Sequence, residues 1–110
     1  MNLPHGEDAV IDIAKIRDYC LSSGHLVGRH KARVFQAALG LTAADATHLQ
    51  AALKIAARRQ EAVVGISDIY GTRYIIDFEL KWHEKAAAIR SSWIIRTGET
   101  APRFLTCYVL

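Results

Sequence analysis

The 110-residue sequence predicts an α+β domain, N-terminal helices packed on a four-stranded antiparallel sheet. Three observations predict it. Apolar residues recur at helical spacing up to about residue 59, the period drops to two from Glu61 onward, and the two prolines, Pro4 and Pro102, fall outside every periodic segment. Helices followed by strands, without interleaving, favour an antiparallel meander over a parallel sheet. No repeat, low-complexity tract or linker interrupts the chain, so residues 1–110 are expected to form a single domain. That length buries enough surface to fold without a disulfide or a metal.

Asp12 is an N-cap for a helix to about Leu21, with Ile13, Ile16, Tyr19 and Cys20 at helical spacing and Ser22-Ser23-Gly24 as its stop. A second helix is expected from about His30 to Leu39, with Lys31, Val34, Phe35 and Ala38 on one side and Gly40 ending it. Thr42 and Asp45 form a capping-box pattern for a third helix to about Arg59, buried through Leu49, Ala52, Leu53 and Ala56. Ala62 to Ile66 then reads as a first strand, and Asp68-Ile69-Tyr70-Gly71 as a turn. In the second strand Tyr74, Ile76, Phe78 and Leu80 alternate with Arg73, Ile75, Asp77 and Glu79, so one face is buried. Lys81 to Lys85 reads as a polar connection, Ala87 to Thr97 as the third strand and Arg103 to Leu110 as the fourth. Ile89, Ser91, Trp93 and Ile95 make the apolar row of the third strand. Thr106, between Phe104 and Tyr108, is expected to face the helices as Ser91 does.

Composition excludes several classes. Half the residues are hydrophobic, yet no apolar run approaches the ~20 residues of a membrane span. Residues 1–7 lack a signal-peptide pattern. Cys20 and Cys107 lie in apolar patterns without CxxC spacing, as expected of reduced core thiols in a cytoplasmic protein. His25, His30 and His48 are not spaced as metal ligands, and no motif of a serine hydrolase, a nucleotide hydrolase or a Rossmann fold is present. Chemistry done without a metal or cofactor remains.

Net charge is +3, but it is unevenly spread. Between Tyr19 and Gln60 the only acid is Asp45, against Arg29, Lys31, Arg33, Lys54, Arg58 and Arg59. Such a footprint suits a nucleic-acid partner. The run Gly28-Arg29-His30-Lys31 places cations at a helix N-terminus, where they oppose the dipole. A bound phosphate reverses that penalty, because it takes up both the free N–H groups and the cations. Lys31, Ser91 and Thr106 are therefore expected to converge beside His30 on one oxyanion-sized cleft.

Leu3-Pro4, Gly28-Arg29-His30-Lys31-Ala32, Tyr70-Gly71-Thr72-Arg73-Tyr74, Arg90-Ser91-Ser92-Trp93 and Pro102-Arg103-Phe104-Leu105-Thr106 resemble a small bacterial domain family of uncharacterised function. It occurs alone and as the C-terminal module of large secreted toxins. In the order of its elements the chain is similar to the barnase/EndoU/colicin/RelE group of ribonuclease toxins. The resemblance implies Lys and His on a helix acting with a Ser-x-Trp strand, here His30, Lys31 and Ser91-Ser92-Trp93. His30 and Lys31 are adjacent, so on a helix they diverge by about 100°.

The expected function is a metal-independent endoribonuclease of toxin type that acts on RNA, tRNA included. His30 would be the acid or base with His25 in reserve, Lys31 and Arg90 would stabilise phosphate charge, and Ser91 and Thr106 would orient its oxygens. Arg29, Arg33, Arg58, Arg59 and Arg103, with His25, would hold the RNA backbone. An acidic antitoxin or immunity protein is the implied partner. The alternative is a non-catalytic module that binds RNA or protein, such as an antitoxin or adaptor.

Overall fold

A computed structural model describes residues 1–110. Asp12 caps the first helix, its carboxylate accepting the Ala14 N–H at 2.9 Å. One α-helical turn, α1 (Ile13–Lys15), widens directly into a π turn over Ile16–Cys20. The widening is a departure from the regular helix expected. It buries Ile16 and Cys20 completely while leaving Tyr19 partly exposed at the next turn.

Helix α2 spans Arg29–Leu39 and stops at Gly40, whose φ of 75° is the left-handed C-cap conformation. Thr42 donates its N–H to the Asp45 carboxylate at 3.0 Å, and after a 3₁₀ turn α3 spans Ala46–Arg59. Its buried face, Ala46, Leu49, Leu53, Ala56 and Ala57, matches the expected period closely.

The four strands are β1 (Ala62–Asp68), β2 (Gly71–Trp82), β3 (Lys85–Arg96) and β4 (Arg103–Val109). They form an antiparallel meander in the order β1-β2-β3-β4, so β1 and β4 are the edges. The connection expected over Lys81–Lys85 is much shorter, because Trp82 pairs with Lys85 and only His83 and Glu84 turn the chain, His83 at φ 56°. The helices cover one face of β2, β3 and β4, and the core between them is built on Phe35, Leu49, Leu53, Ile76, Ile89, Trp93 and Phe104. Trp93 and Phe104 meet edge to face at 5.5 Å.

The register of β4 departs from simple alternation. Ser92 pairs with Thr106 but Trp93 pairs with Phe104, which leaves Leu105 as an extra residue on β4. The bulge makes Phe104 and Cys107 the core-facing pair of β4, where alternation had put Phe104, Thr106 and Tyr108. In β3 alternation holds, with Ile95 packed against the core beyond Trp93 as expected; Ile94, on the other face, is also buried, between Arg73 and Arg103 in register. The N-terminal segment ties both edges: the Met1 carbonyl accepts from Ala62 N–H, and Val10 exchanges hydrogen bonds with Pro102 and Phe104. No helix is long and apolar enough to cross a membrane.

Candidate functional site

Lys31 leaves the first turn of α2 beside the edge strand β4. Its buried neighbours on the helix are Ala32, Phe35 and Leu39, and Val34 is 45% exposed, so the lysine stands at the margin of the apolar stripe and not within it. The ammonium donates to Tyr19 Oη at 3.3 Å and to Thr106 Oγ1 at 3.2 Å. It also lies 5.0 Å from the centre of the Tyr19 ring and 5.8 Å from that of Tyr108. Lys31 takes part in none of the ion pairs of the chain. A half-buried cation held by neutral hydroxyls and ring faces is less stabilised than one held by a carboxylate.

Two local features put Tyr19 there. Gly28 packs so closely on the preceding helix that a Cβ would lie 2.1 Å from the Tyr19 carbonyl oxygen. Its φ of −74° is ordinary, so glycine is required by contact and not by conformation. His25 then orders the loop: its Nδ1 accepts the N–H groups of Val27 and Gly28 at 3.0 and 2.9 Å. A ring that accepts at Nδ1 carries its proton on Nε2 when neutral. The same ring stands edge-on to Tyr19 at 4.9 Å.

Behind Thr106 lies a pair of free, buried cysteines. Cys20 Sγ is 3.6 Å from Thr106 Oγ1, so a hydrogen-bonded line runs Cys20, Thr106, Lys31, Tyr19. The Cys107 thiol donating to Cys20, helped by Thr106 and the Lys31 charge, brings the Cys20 pKa down to about 6 against the opposing effect of burial. Cys107 is pushed well up by the same contact and by its own burial. Sequence reading treated both thiols as core packing alone; their place next to Lys31 depends on the π turn packing on β4.

His30 and Lys31 diverge on the helix, yet both line one shallow hollow of about 320 Å³ with Val34, Tyr108 and Val109. Arg29 and Arg33 are exposed on the same helix. Of the residues expected to converge, Lys31 meets Thr106 directly and shares the hollow with His30, while Thr106 does not line that hollow. Ser91 does not join them: it is fully buried, donates to the Ile76 carbonyl at 2.8 Å and accepts from Trp93 Nε1 at 2.9 Å. Those two bonds hold β3 to β2 and fix the indole within the core, so the Ser-x-Trp pair is spent internally. Ser92 is the serine opposite Thr106.

Arg90 lies on the sheet face away from the helices, in a two-pronged pair with Asp77 at 2.9 and 2.8 Å. The carboxylate and the Tyr108 hydroxyl both raise its pKa, which links Arg90 to the hollow through Tyr108. Arg103 is likewise paired, with Glu99 at 3.1 and 2.9 Å. Arg58 lines a different hollow with Glu7, Asp8 and Lys54, and Arg59 is exposed in the last turn of α3, where a cation complements the helix dipole. One group of metal-capable side chains, His5, Glu7 and Asp8, is fully exposed on that same side. Tyr19 and Tyr108 are the neighbours of Lys31 that sequence reasoning did not single out. Tyr19 shared the helical stripe and could have been found; Tyr108 follows the bulge at Leu105, which no local signal announces.

Residues 2–110 match a domain family of unknown function, DUF6883. The chain belongs to this family. No curated protein sequence matches it. Among solved structures this DUF6883 chain is similar to one from a contact-dependent growth inhibition toxin–immunity protein complex of Klebsiella pneumoniae 342, at a TM-score of 0.69 and 18% identity, over 92% of this chain and 99% of that one. At that identity the likeness establishes a shared fold, with the same helices-then-meander order that the periodicity predicts.

Proposed function

We propose that this DUF6883 domain is a metal-independent endoribonuclease of toxin type, with its site at the junction of α2 and β4. The observation that carries the reading is Lys31, a half-buried ammonium with two hydroxyl partners and no carboxylate, beside an exposed histidine in one hollow. The occurrence of this fold in a toxin–immunity complex supports the toxin half of the proposal.

RNA supplies its own nucleophile. In the proposed step the ribose 2′-oxygen attacks phosphorus, its proton passes to His30, and the bond from phosphorus to the 5′-oxygen breaks, leaving a 2′,3′-cyclic phosphate while the 5′-oxygen takes a proton from water. Lys31 and Thr106 offer donors to the non-bridging oxygens, where charge builds up. Arg90, neutralised by Asp77 on the sheet face away from the helices, takes no part in this step. Arg29 and Arg33, with His25 at the loop, track the adjoining phosphates without reading bases. An immunity protein that neutralises such a toxin would present carboxylates to this cationic edge.

The test is incubation of the purified protein with tRNA and total RNA in EDTA. Cleavage that persists in EDTA and disappears in Lys31→Ala is the expected result. Cleavage abolished by chelation overturns the metal-free chemistry, and equal cleavage by Lys31→Ala overturns the site. RNA binding without cleavage identifies a non-catalytic RNA-binding module instead.

A further inference from the structure

We propose that the open edge of β1 is a self-association surface, through which two copies of the chain pair β1 against β1, antiparallel about a two-fold axis. The edge is covered only at its start, where Asn2 bridges Glu61 and the Met1 carbonyl accepts from Ala62. From Val63 to Asp68 nothing pairs with its outer side.

Edge strands in folded proteins are ordinarily blunted by lysine, proline or an inward charge. This one carries Val63, Val64 and Ile66, 66%, 55% and 70% exposed, and no proline or charged residue before Asp68. Its single protective device is a bulge at Gly65 and Ile66. The following turn adds Ile69 and Tyr70, also largely exposed. Beyond Ala62 both faces of β1 are exposed, because the helices lie over β2, β3 and β4.

Charge identifies the occupant. Every ion around the patch is already matched within the chain: Glu61 with the N-terminus, Asp68 with Arg73, Asp77 with Arg90. The surface therefore offers no free cation to a phosphate backbone and no unpaired charge to a strongly charged protein. It suits an uncharged, β-branched strand, and β1 is itself such a strand. Antiparallel self-pairing sets Val and Ile across from the same segment reversed, the cross-strand combination that β-branched residues favour.

The other edge is not equally open. Val10 occupies the beginning of β4, and Lys15 Nζ donates to the Phe104 carbonyl at 3.1 Å, so a β1-to-β4 stack finds the start of that edge taken, whereas an isologous β1 pair closes on itself. The five exposed apolar side chains amount to roughly 600 Å² per copy. Even if all of it were buried, two copies together would reach only the lower end of specific interfaces, about 1,200 Å², which describes a weak, reversible dimer. Lys31 lies at the opposite edge of the sheet and stays open in the pair.

Sedimentation velocity on the whole chain, from about 5 to about 500 µM, tests the proposal. The mass should climb from 12.2 kDa toward twice that value, and hydrogen exchange at the Val64 and Ile66 amides should slow as concentration rises. Val64→Lys with Ile66→Lys, both at exposed positions, should weaken association at least tenfold while far-UV circular dichroism is unchanged. A mass that stays at the monomer value throughout overturns the proposal, as does a dimer that survives the double substitution. Slowed exchange at β1 produced only by adding a different protein would assign the edge to that protein and equally overturn self-pairing. These readouts are independent of RNA cleavage.

Discussion

Gly28→Ala probes the packing on which the site depends. A Cβ at this position lies 2.1 Å from the Tyr19 carbonyl oxygen and 2.9 Å from its carbon, against ordinary contacts that begin near 3.4 Å. The two helices must therefore separate locally by about 1 Å, as the obstacle is backbone and cannot swing aside. The Lys31–Tyr19 hydrogen bond starts at 3.3 Å and would not survive that displacement. Overpacking of this kind costs about 1–3 kcal/mol, a drop of about 1 M in the urea midpoint for a chain of this size. Gly24→Ala is the matched control in the same loop, since its Cβ would meet only the Ser22 hydroxyl at 3.9 Å. Urea unfolding of the two variants, followed by RNA-cleavage assays, measures both effects. Equal midpoints for Gly28→Ala, Gly24→Ala and the parent would refute the argument that close approach of backbone positions the site.

Other perturbations separate structural from functional groups. Lys31→Met keeps the stem of the side chain and removes a cation that has no carboxylate partner, so stability should hold within about 1 kcal/mol while cleavage falls on the order of a hundredfold or more; unfolding curves and initial rates check this. Ser91→Ala should lower stability by about 1–3 kcal/mol by stranding the Trp93 N–H, whereas Ser92→Ala should leave stability unchanged and alter cleavage. For Cys20 the folded pKa of about 6 lies below the ordinary thiol value of 9.0, so its stabilising effect is complete above about pH 9 and is lost as pH falls through 6. Cys107 is shifted the other way and costs stability above pH 9. The urea midpoint should thus rise from pH 6 to 9 and fall beyond it, and Cys20→Ser should flatten the rise.

Much of the fold is legible because burial follows local periodicity. The α3 face through Leu49, Leu53 and Ala56, the Gly40 cap and the alternation of Tyr74, Ile76, Phe78 and Leu80 all appear in the chain in the positions where they are needed. The place of Lys31, beside the apolar stripe in the first turn of α2, was legible for a related reason, whereas its partners Tyr19 and Thr106 were not both in view. Ser91 shows the limit of that reasoning. Its position on the helix-facing row was read correctly, but only the neighbouring strand and the indole of Trp93 reveal that both its hydrogen bonds are used within the core.

The amino-acid order by itself determined the α+β class, the number and sequence of elements, the meander and the cationic start of α2. These follow from residue spacing and capping chemistry, which act within a few residues. The tertiary structure decided which hydroxyls meet Lys31. The bulge at Leu105 turns β4 so that Thr106 and Tyr108 flank the ammonium, and the π turn presents Tyr19 and packs Cys20 on β4 beside Cys107. The contacts to β4 depend on strand register and helix packing between residues 75 to 86 positions apart, a property of the assembled whole that short-range patterns do not encode.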